Sequence, residues 1–89
     1  MDIRHDSDGQ RFHTTVDGHE AEVSYEMDGD VLLVTHTGVP GAIGGRGIAG
    51  ELNRAAFEHA RRQGLRLRPL CTYAAAWAKR HPEYSDLLV

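Results

Sequence analysis

Three Asp-Gly pairs, Asp8-Gly9, Asp17-Gly18 and Asp28-Gly29, cut the N-terminal part of this chain into short β-prone segments. Asp-Gly is a preferred two-residue hairpin loop, because both positions tolerate a positive φ and the turn then follows the twist of its flanking strands. The spacing predicts an antiparallel meander of four strands, from Asp2 to Asp6, Gln10 to Val16, His19 to Met27 and Asp30 to Thr37. In the third, Ala21, Val23, Tyr25 and Met27 alternate with Glu20, Glu22, Ser24 and Glu26, so one face is buried and the other wet. The fourth carries Val31-Leu32-Leu33-Val34, apolar on both faces, and belongs inside the sheet.

Beyond Gly45 the period changes from two to 3.6. Ile48, Leu52, Ala55, Ala56, His59 and Ala60 trace one stripe of a helix, with Glu51, Arg54, Glu58, Arg61 and Arg62 off it. His59 is read as a packed member of that stripe rather than a ligand. Gly64 is placed to cap the helix, and Leu65-Arg66-Leu67-Arg68 to form a fifth strand. A strand-helix-strand passage implies a parallel neighbour reached by a right-handed crossover. Pro69 ends that strand, and a second helix from about Thr72 to Arg80 turns Tyr73, Ala74, Trp77 and Ala78 inward before Pro82. The expected fold is α+β: an antiparallel four-stranded meander, a βαβ unit and a short C-terminal helix. With 89 residues, 1–89 form one domain sharing a single modest core.

Charge divides the chain along the same line. Residues 1–40 hold nine acids against two bases, and residues 41–89 hold four acids against eight bases. Arg46, Arg54, Arg61, Arg62, Arg66, Arg68, Lys79 and Arg80 lie in the basic part, where they can meet a polyphosphate or simply be solvated. No aromatic residues interleave these arginines, which disfavours nucleic acid. The single cysteine, Cys71, excludes an internal disulfide, and no apolar run approaches membrane-spanning length, so the chain reads as soluble and cytoplasmic. Six histidines show neither H-E-x-x-H nor paired-cysteine spacing, so no metal site is expected.

At the switch of period stands Gly44-Gly45-Arg46-Gly47-Ile48-Ala49-Gly50. Glycines let backbone approach an anion closely, and a helix N-terminus supplies free N–H groups and the positive end of a dipole. Gly45, Gly47 and Gly50 satisfy the dinucleotide pattern G-x-G-x-x-G in letters, but not in context. Seven residues, Gly38 to Gly44, separate strand from loop, and Gly64 to Thr72 holds no acid for a ribose. No Gly-Lys-Ser/Thr follows either, which excludes a P-loop.

Four blocks occur in order: His36-Thr37-Gly38-Val39-Pro40, Gly45-Arg46-Gly47-Ile48-Ala49, Arg68-Pro69-Leu70-Cys71-Thr72-Tyr73 and Arg80-His81-Pro82-Glu83-Tyr84. Together they resemble the small single-domain N-acetyltransferases of the GNAT superfamily over nearly the whole chain. The resemblance implies acetyl-CoA as cofactor, lying where the fourth and fifth strands splay. Its pyrophosphate would rest on the loop amides from Gly45 through Arg46, Gly47 and Ile48 to Ala49, with Arg46 adding charge. An amide within Thr37 to Val39 would hold the acetyl carbonyl and stabilise the oxyanion as an amine attacks. Two departures stand out. Gly44 occupies the place where the superfamily usually has Gln or Arg, and Cys71 and Trp77-Ala78 stand near the usual Asn and Tyr that protonate the leaving thiolate.

Cys71 falls between a strand end and a helix start, a setting that makes a thiol reactive and faces it to the cofactor gap. It is a candidate to take the acetyl group covalently, or a small apolar wall residue. His36, read as sharing a face with Leu32 and Val34, is a candidate base for the acceptor amine. Tyr84 is read as a packing anchor. Two classes of function follow. One is an acetyl-CoA-dependent transferase acting on an amine of a small molecule or protein; the other is a CoA-binding module without turnover that works through partners. Either could act as a monomer or a homodimer.

Overall fold

The computed structural model describes residues 1–89. Five strands, β1 (Arg4–Asp6), β2 (Arg11–Val16), β3 (His19–Asp28), β4 (Val31–Gly38) and β5 (Arg66–Pro69), form one sheet in sequence order. Helix α1 (Ile48–Gln63) connects β4 to β5, and α2 (Thr72–Arg80) follows β5. The first four strands are antiparallel, and β5 lies parallel to β4 as the strand-helix-strand passage requires.

All three hairpins form, but only Asp17-Gly18 makes the expected turn, with both residues at positive φ between the Val16–His19 pair. The last hairpin closes on the Asp28–Val31 pair, so its loop is Gly29-Asp30 with Gly29 first and at φ 61°. The first spans Ser7 to Gln10 between Asp6 and Arg11. There Gln10 takes the positive φ, while the Gly9 N–H donates to Asp6 Oδ1 at 3.0 Å. A Cβ on Gly9 would lie 2.4 Å from Asp6 Oδ2, so glycine serves this turn by close approach and not by its φ.

Both helices cover one face of the sheet. Phe12, Ala21, Val23, Tyr25, Leu32, Val34 and Leu67 meet Ile48, Leu52, Ala56, Phe57 and Ala60 of α1 and Ala74, Trp77 and Ala78 of α2 in one core. Phe57, off the stripe read from the sequence, is its largest fully buried side chain and packs on Trp77 with ring centroids 4.8 Å apart. The opposite sheet face stays open and carries charge: Arg11 bonds Glu20 and Glu22, each at 2.7 Å, across the β2–β3 pair.

The C-terminal segment, a 3-10 helix over Pro82–Leu87, is clipped down by the basic half of the chain. Arg61 reaches the Glu83 carbonyl and Asp86, while Arg66 reaches the carbonyls of Leu87 and Leu88. Tyr84 is buried, with its hydroxyl donating to Glu58 at 2.6 Å. These arginines thus serve the fold rather than a distant polyphosphate. No helix is long and apolar enough to cross a membrane.

Candidate functional site

A β-bulge in β4 decides what the end of that strand presents. Against β3 the register passes from Tyr25–Val34 to Ser24–His36, leaving Thr35 as the extra residue. One inserted residue reverses the alternation beyond it. Thr37, opposite buried Val23, therefore joins Leu32 and Val34 on the helix-covered face. His36 turns to the open face and is exposed. The expectation that His36 shares a face with Leu32 and Val34 is corrected here, because strict alternation fails at Thr35. A Cβ on Gly38 would lie 2.9 Å from His36 Nε2, so the imidazole overhangs Gly38.

The same strand outruns its neighbour. Pairing with β5 ends at Val34–Pro69, where the Leu70 and Cys71 N–H groups both donate to the Val34 carbonyl, at 2.9 and 3.0 Å. The chain then turns into α2, and Thr35 to Gly38 continue without a β5 partner. This is the divergence of the fourth and fifth strands expected above.

At the far end of the gap lies the glycine loop. After a 3-10 turn (Gly41–Ile43), Gly45 and Gly47 take positive φ, 75° and 77°, and Gly47 caps α1 without any side-chain hydrogen bond. The first helical bond runs from the Glu51 N–H to the Gly47 carbonyl. The N–H groups of Gly45, Arg46, Gly47, Ile48, Ala49 and Gly50 have no acceptor within the protein, and neither does that of Val39. Such a row at the positive end of a 16-residue helix is a ready anion cradle. A concavity of about 250 Å³ opens over it, lined by Val39, Ile43, Gly44, Gly45, Gly47, Ile48, Ala49 and Tyr73. A larger hollow of about 370 Å³ lies around Pro69, Ala75, Lys79 and Pro82 and includes no residue of the glycine loop.

Arg46 does not point a free charge into this cradle, since its Nη1 bonds Asp17 Oδ2 at 2.6 Å in the β2–β3 turn. Both partners are solvent-exposed, so the pair is weak and exchangeable. Gly44 has extended backbone, φ −67° and ψ 159°, which any residue can adopt. The sequence reading turned Tyr73 inward, whereas it is partly exposed and lines the concavity. Its hydroxyl lies 3.5 Å from where a Cβ on Gly50 would stand, and the Arg80 guanidinium is 6.0 Å from its ring centre. Tyr73 of α2 thus stands against the first turn of α1, at the mouth of the loop.

Cys71 is the N-cap of α2, its Sγ accepting the Ala74 N–H at 3.3 Å. Across the gap, Thr37 Oγ1 stands 3.5 Å from the sulfur. Thr37 Oγ1 also accepts from Asn53 Nδ2 at 3.2 Å, and the same nitrogen donates to the Ala49 carbonyl at 3.0 Å. Asn53 is completely buried, and its Oδ1 has no partner. Sequence reasoning passed over Asn53, because a polar residue beside an apolar stripe reads as surface; its place one turn after Ala49 was the available signal.

A second cluster gathers at the other end of α1. His5 Nε2 is 2.6 Å from the Tyr25 hydroxyl, and its ring stacks on Phe12 at 4.2 Å and meets His59 edge-on at 4.5 Å. Burial lowers the pKa of both histidines, and each neighbouring positive charge adds to that effect at His59. This cluster belongs to the packing of β1 and does not reach the gap.

A mixed sheet whose fourth and fifth strands part beside an amide-lined helix start defines an acyl-CoA N-acyltransferase fold. The family described as GCN5-related N-acetyl-transferase matches residues 11–87, and the chain belongs to that family. The NMR solution structure of a GCN5-like candidate N-acetyltransferase from Staphylococcus aureus superposes with a TM-score of 0.78 at 27% identity, covering 99% of this chain and 87% of that one. Protein NATD1 of Mus musculus is 32% identical over 83 residues, 90% of this chain and 76% of the mouse protein. Protein NATD1 of Bos taurus is 34% identical over 83 residues, 90% of this chain and 74% of the bovine protein.

Proposed function

We propose that this protein binds acetyl-CoA and transfers its acetyl group to an amine. The observation that carries the reading is the row of unpaired amides from Gly45 to Gly50 at the end of the β4–β5 gap. The donors fit a pyrophosphate in kind and number, and the positive φ of Gly45 and Gly47 keeps the backbone in that shape. Ile48 and Ala49 offer amides without side chains that crowd the anion, and Gly44 borders the same hollow. Acetyl-CoA supplies an activated acyl carbon: its C–S bond would break as a bond to Cys71 Sγ forms and CoA leaves with the thiol proton, and the bond to Sγ would break in turn as a C–N bond forms and the amine's proton returns to the sulfur.

Each remaining part of the site has a task. The free Val39 N–H, with the backbone from Thr37, donates to the acyl oxygen and stabilises negative charge there. Cys71 Sγ, at the gap wall, is assigned as an acyl acceptor that forms a thioester on the protein before the amine attacks. His36, exposed on the open face beside Gly38, is assigned to take the proton of an amine arriving from that side. The acceptor is a small-molecule or protein amine, and the site is proposed to work in a soluble intracellular protein.

The test is incubation with acetyl-CoA in the presence of an amine panel, with acetyl transfer and intact protein mass followed together. The expected result is saturable transfer, a mass gain of one acetyl group on wild type, and none on Cys71→Ala. Transfer at wild-type rate by Cys71→Ala refutes the thioester but leaves the transferase. Tight CoA binding with no transfer to any amine favours the module without turnover, and no binding refutes the reading altogether.

A further inference from the structure

We infer that Asn53 and Thr37 are positioning residues that aim a hydroxyl proton at the Cys71 sulfur, an assignment that rests on the proposed role of Cys71. The direction of the chain follows from Asn53. The Ala49 carbonyl can only accept, so the end of the Asn53 amide that faces it at 3.0 Å is the NH2 group. That nitrogen's second hydrogen goes to Thr37 Oγ1 at 3.2 Å. Thr37 then keeps its own proton to give, and Cys71 Sγ at 3.5 Å is the acceptor within its reach. The sulfur already accepts the Ala74 N–H at the start of α2. It is thereby held by two donors, and both strengthen as negative charge gathers on it.

An independent observation singles out Asn53. Its Oδ1 is fully buried with no partner, a desolvation cost that an apolar residue would avoid. Asparagine is thus a poor choice for packing at this position. Its NH2 group, bonded to Thr37, is what the position gains in return.

This separates stability from reactivity. Cys71 is the only cysteine, so its alkylation by iodoacetamide reads the site without any cofactor. Removing the hydroxyl donor leaves the sulfur with one hydrogen bond in place of two as negative charge gathers on it, and the expected loss of alkylation rate is roughly threefold. The expectation is that loss for Thr37→Val and for Asn53→Leu, with Thr37→Ser near wild type. Asn53→Leu is further expected to unfold at the wild-type temperature or above it, which a merely structural role for Asn53 would not give.

Equal alkylation rates in wild type, Thr37→Val and Asn53→Leu overturn the assignment, as does a Thr37→Ser rate as low as that of Thr37→Val. A destabilised Asn53→Leu with wild-type alkylation overturns it too, by showing that Asn53 serves packing. The two readings fail separately. Expected alkylation rates together with full acetyl transfer by Cys71→Ala would sink the acyl-cysteine and leave this arrangement standing. Indifferent alkylation with transfer abolished in Cys71→Ala would do the reverse.

Discussion

Gly47 and Gly50, three positions apart in one loop, are expected to answer the same substitution with opposite signs. Gly47 sits at φ 77° with nothing within 4 Å of an added Cβ, so Gly47→Ala meets no neighbour and suffers only backbone strain. That strain is about 1–2 kcal/mol for an L-residue in the left-handed region. Gly50 lies in the first turn of α1 with no positive φ, and its added Cβ would meet Trp77 Nε1 at 3.4 Å and the Tyr73 hydroxyl at 3.5 Å, ordinary contact distances. Gly50→Ala therefore keeps its neighbours and sheds unfolded-state entropy, a gain of about 0.5 kcal/mol at a helix start. In a domain of this size these figures correspond to a midpoint roughly 5–10 °C lower for Gly47→Ala and about 2–4 °C higher for Gly50→Ala. Thermal unfolding followed by circular dichroism measures both. A stabilised Gly47→Ala, or a Gly50→Ala that loses several degrees, would refute the reasoning, the second by showing that α2 tolerates no atom at Gly50.

Three further outcomes are expected. Gly44→Gln adds a donor beside the cradle on backbone that accepts it, with only the Gly41 carbonyl at 3.3 Å to give way; CoA affinity by calorimetry should rise roughly tenfold, the worth of one hydrogen bond to a charged group. Burial lowers the folded-state pKa of His5 and His59 below 6.5, so the unfolded chain binds more protons. Stability is then fully present above 6.5 and is lost progressively below it as pH falls through the lower folded-state values, and urea midpoints at neutral and mildly acidic pH should show the loss, with His59→Gln flattening it. Phe57→Ala empties the centre of the core beneath Trp77 and should cost about 3–5 kcal/mol, leaving the domain largely unfolded at physiological temperature by near-UV circular dichroism.

Local patterns made most of the fold legible. The Asp-Gly spacing and the alternation of Ala21, Val23 and Tyr25 located the meander, and the second helix falls over Thr72–Arg80 as its flanking prolines suggest. Turn types were less legible, because Asp28 and Val31 pair and push the last loop to Gly29-Asp30. The site was harder to read for a related reason. A bulge has no letter of its own, and Thr35 alone sends His36 to the open face and Thr37 to the gap. Arg46 looked free because Asp17, its partner, is 29 positions away in another hairpin. Tyr73 reads as core on a helical wheel, yet α2 sets it against the first turn of α1, where it lines the loop. Asn53 acquires meaning only from Thr37 and Cys71, which tertiary structure alone brings to it.

The most direct measurement is a titration of the folded protein with acetyl-CoA, followed by amide NMR. Saturable shifts are expected at the N–H groups of Gly45, Gly47, Ile48, Ala49 and Gly50 and at Val39, with the His5–His59 cluster undisturbed. Saturable shifts centred on the hollow around Pro69 and Lys79, or no saturable shift at all, would contradict this expectation.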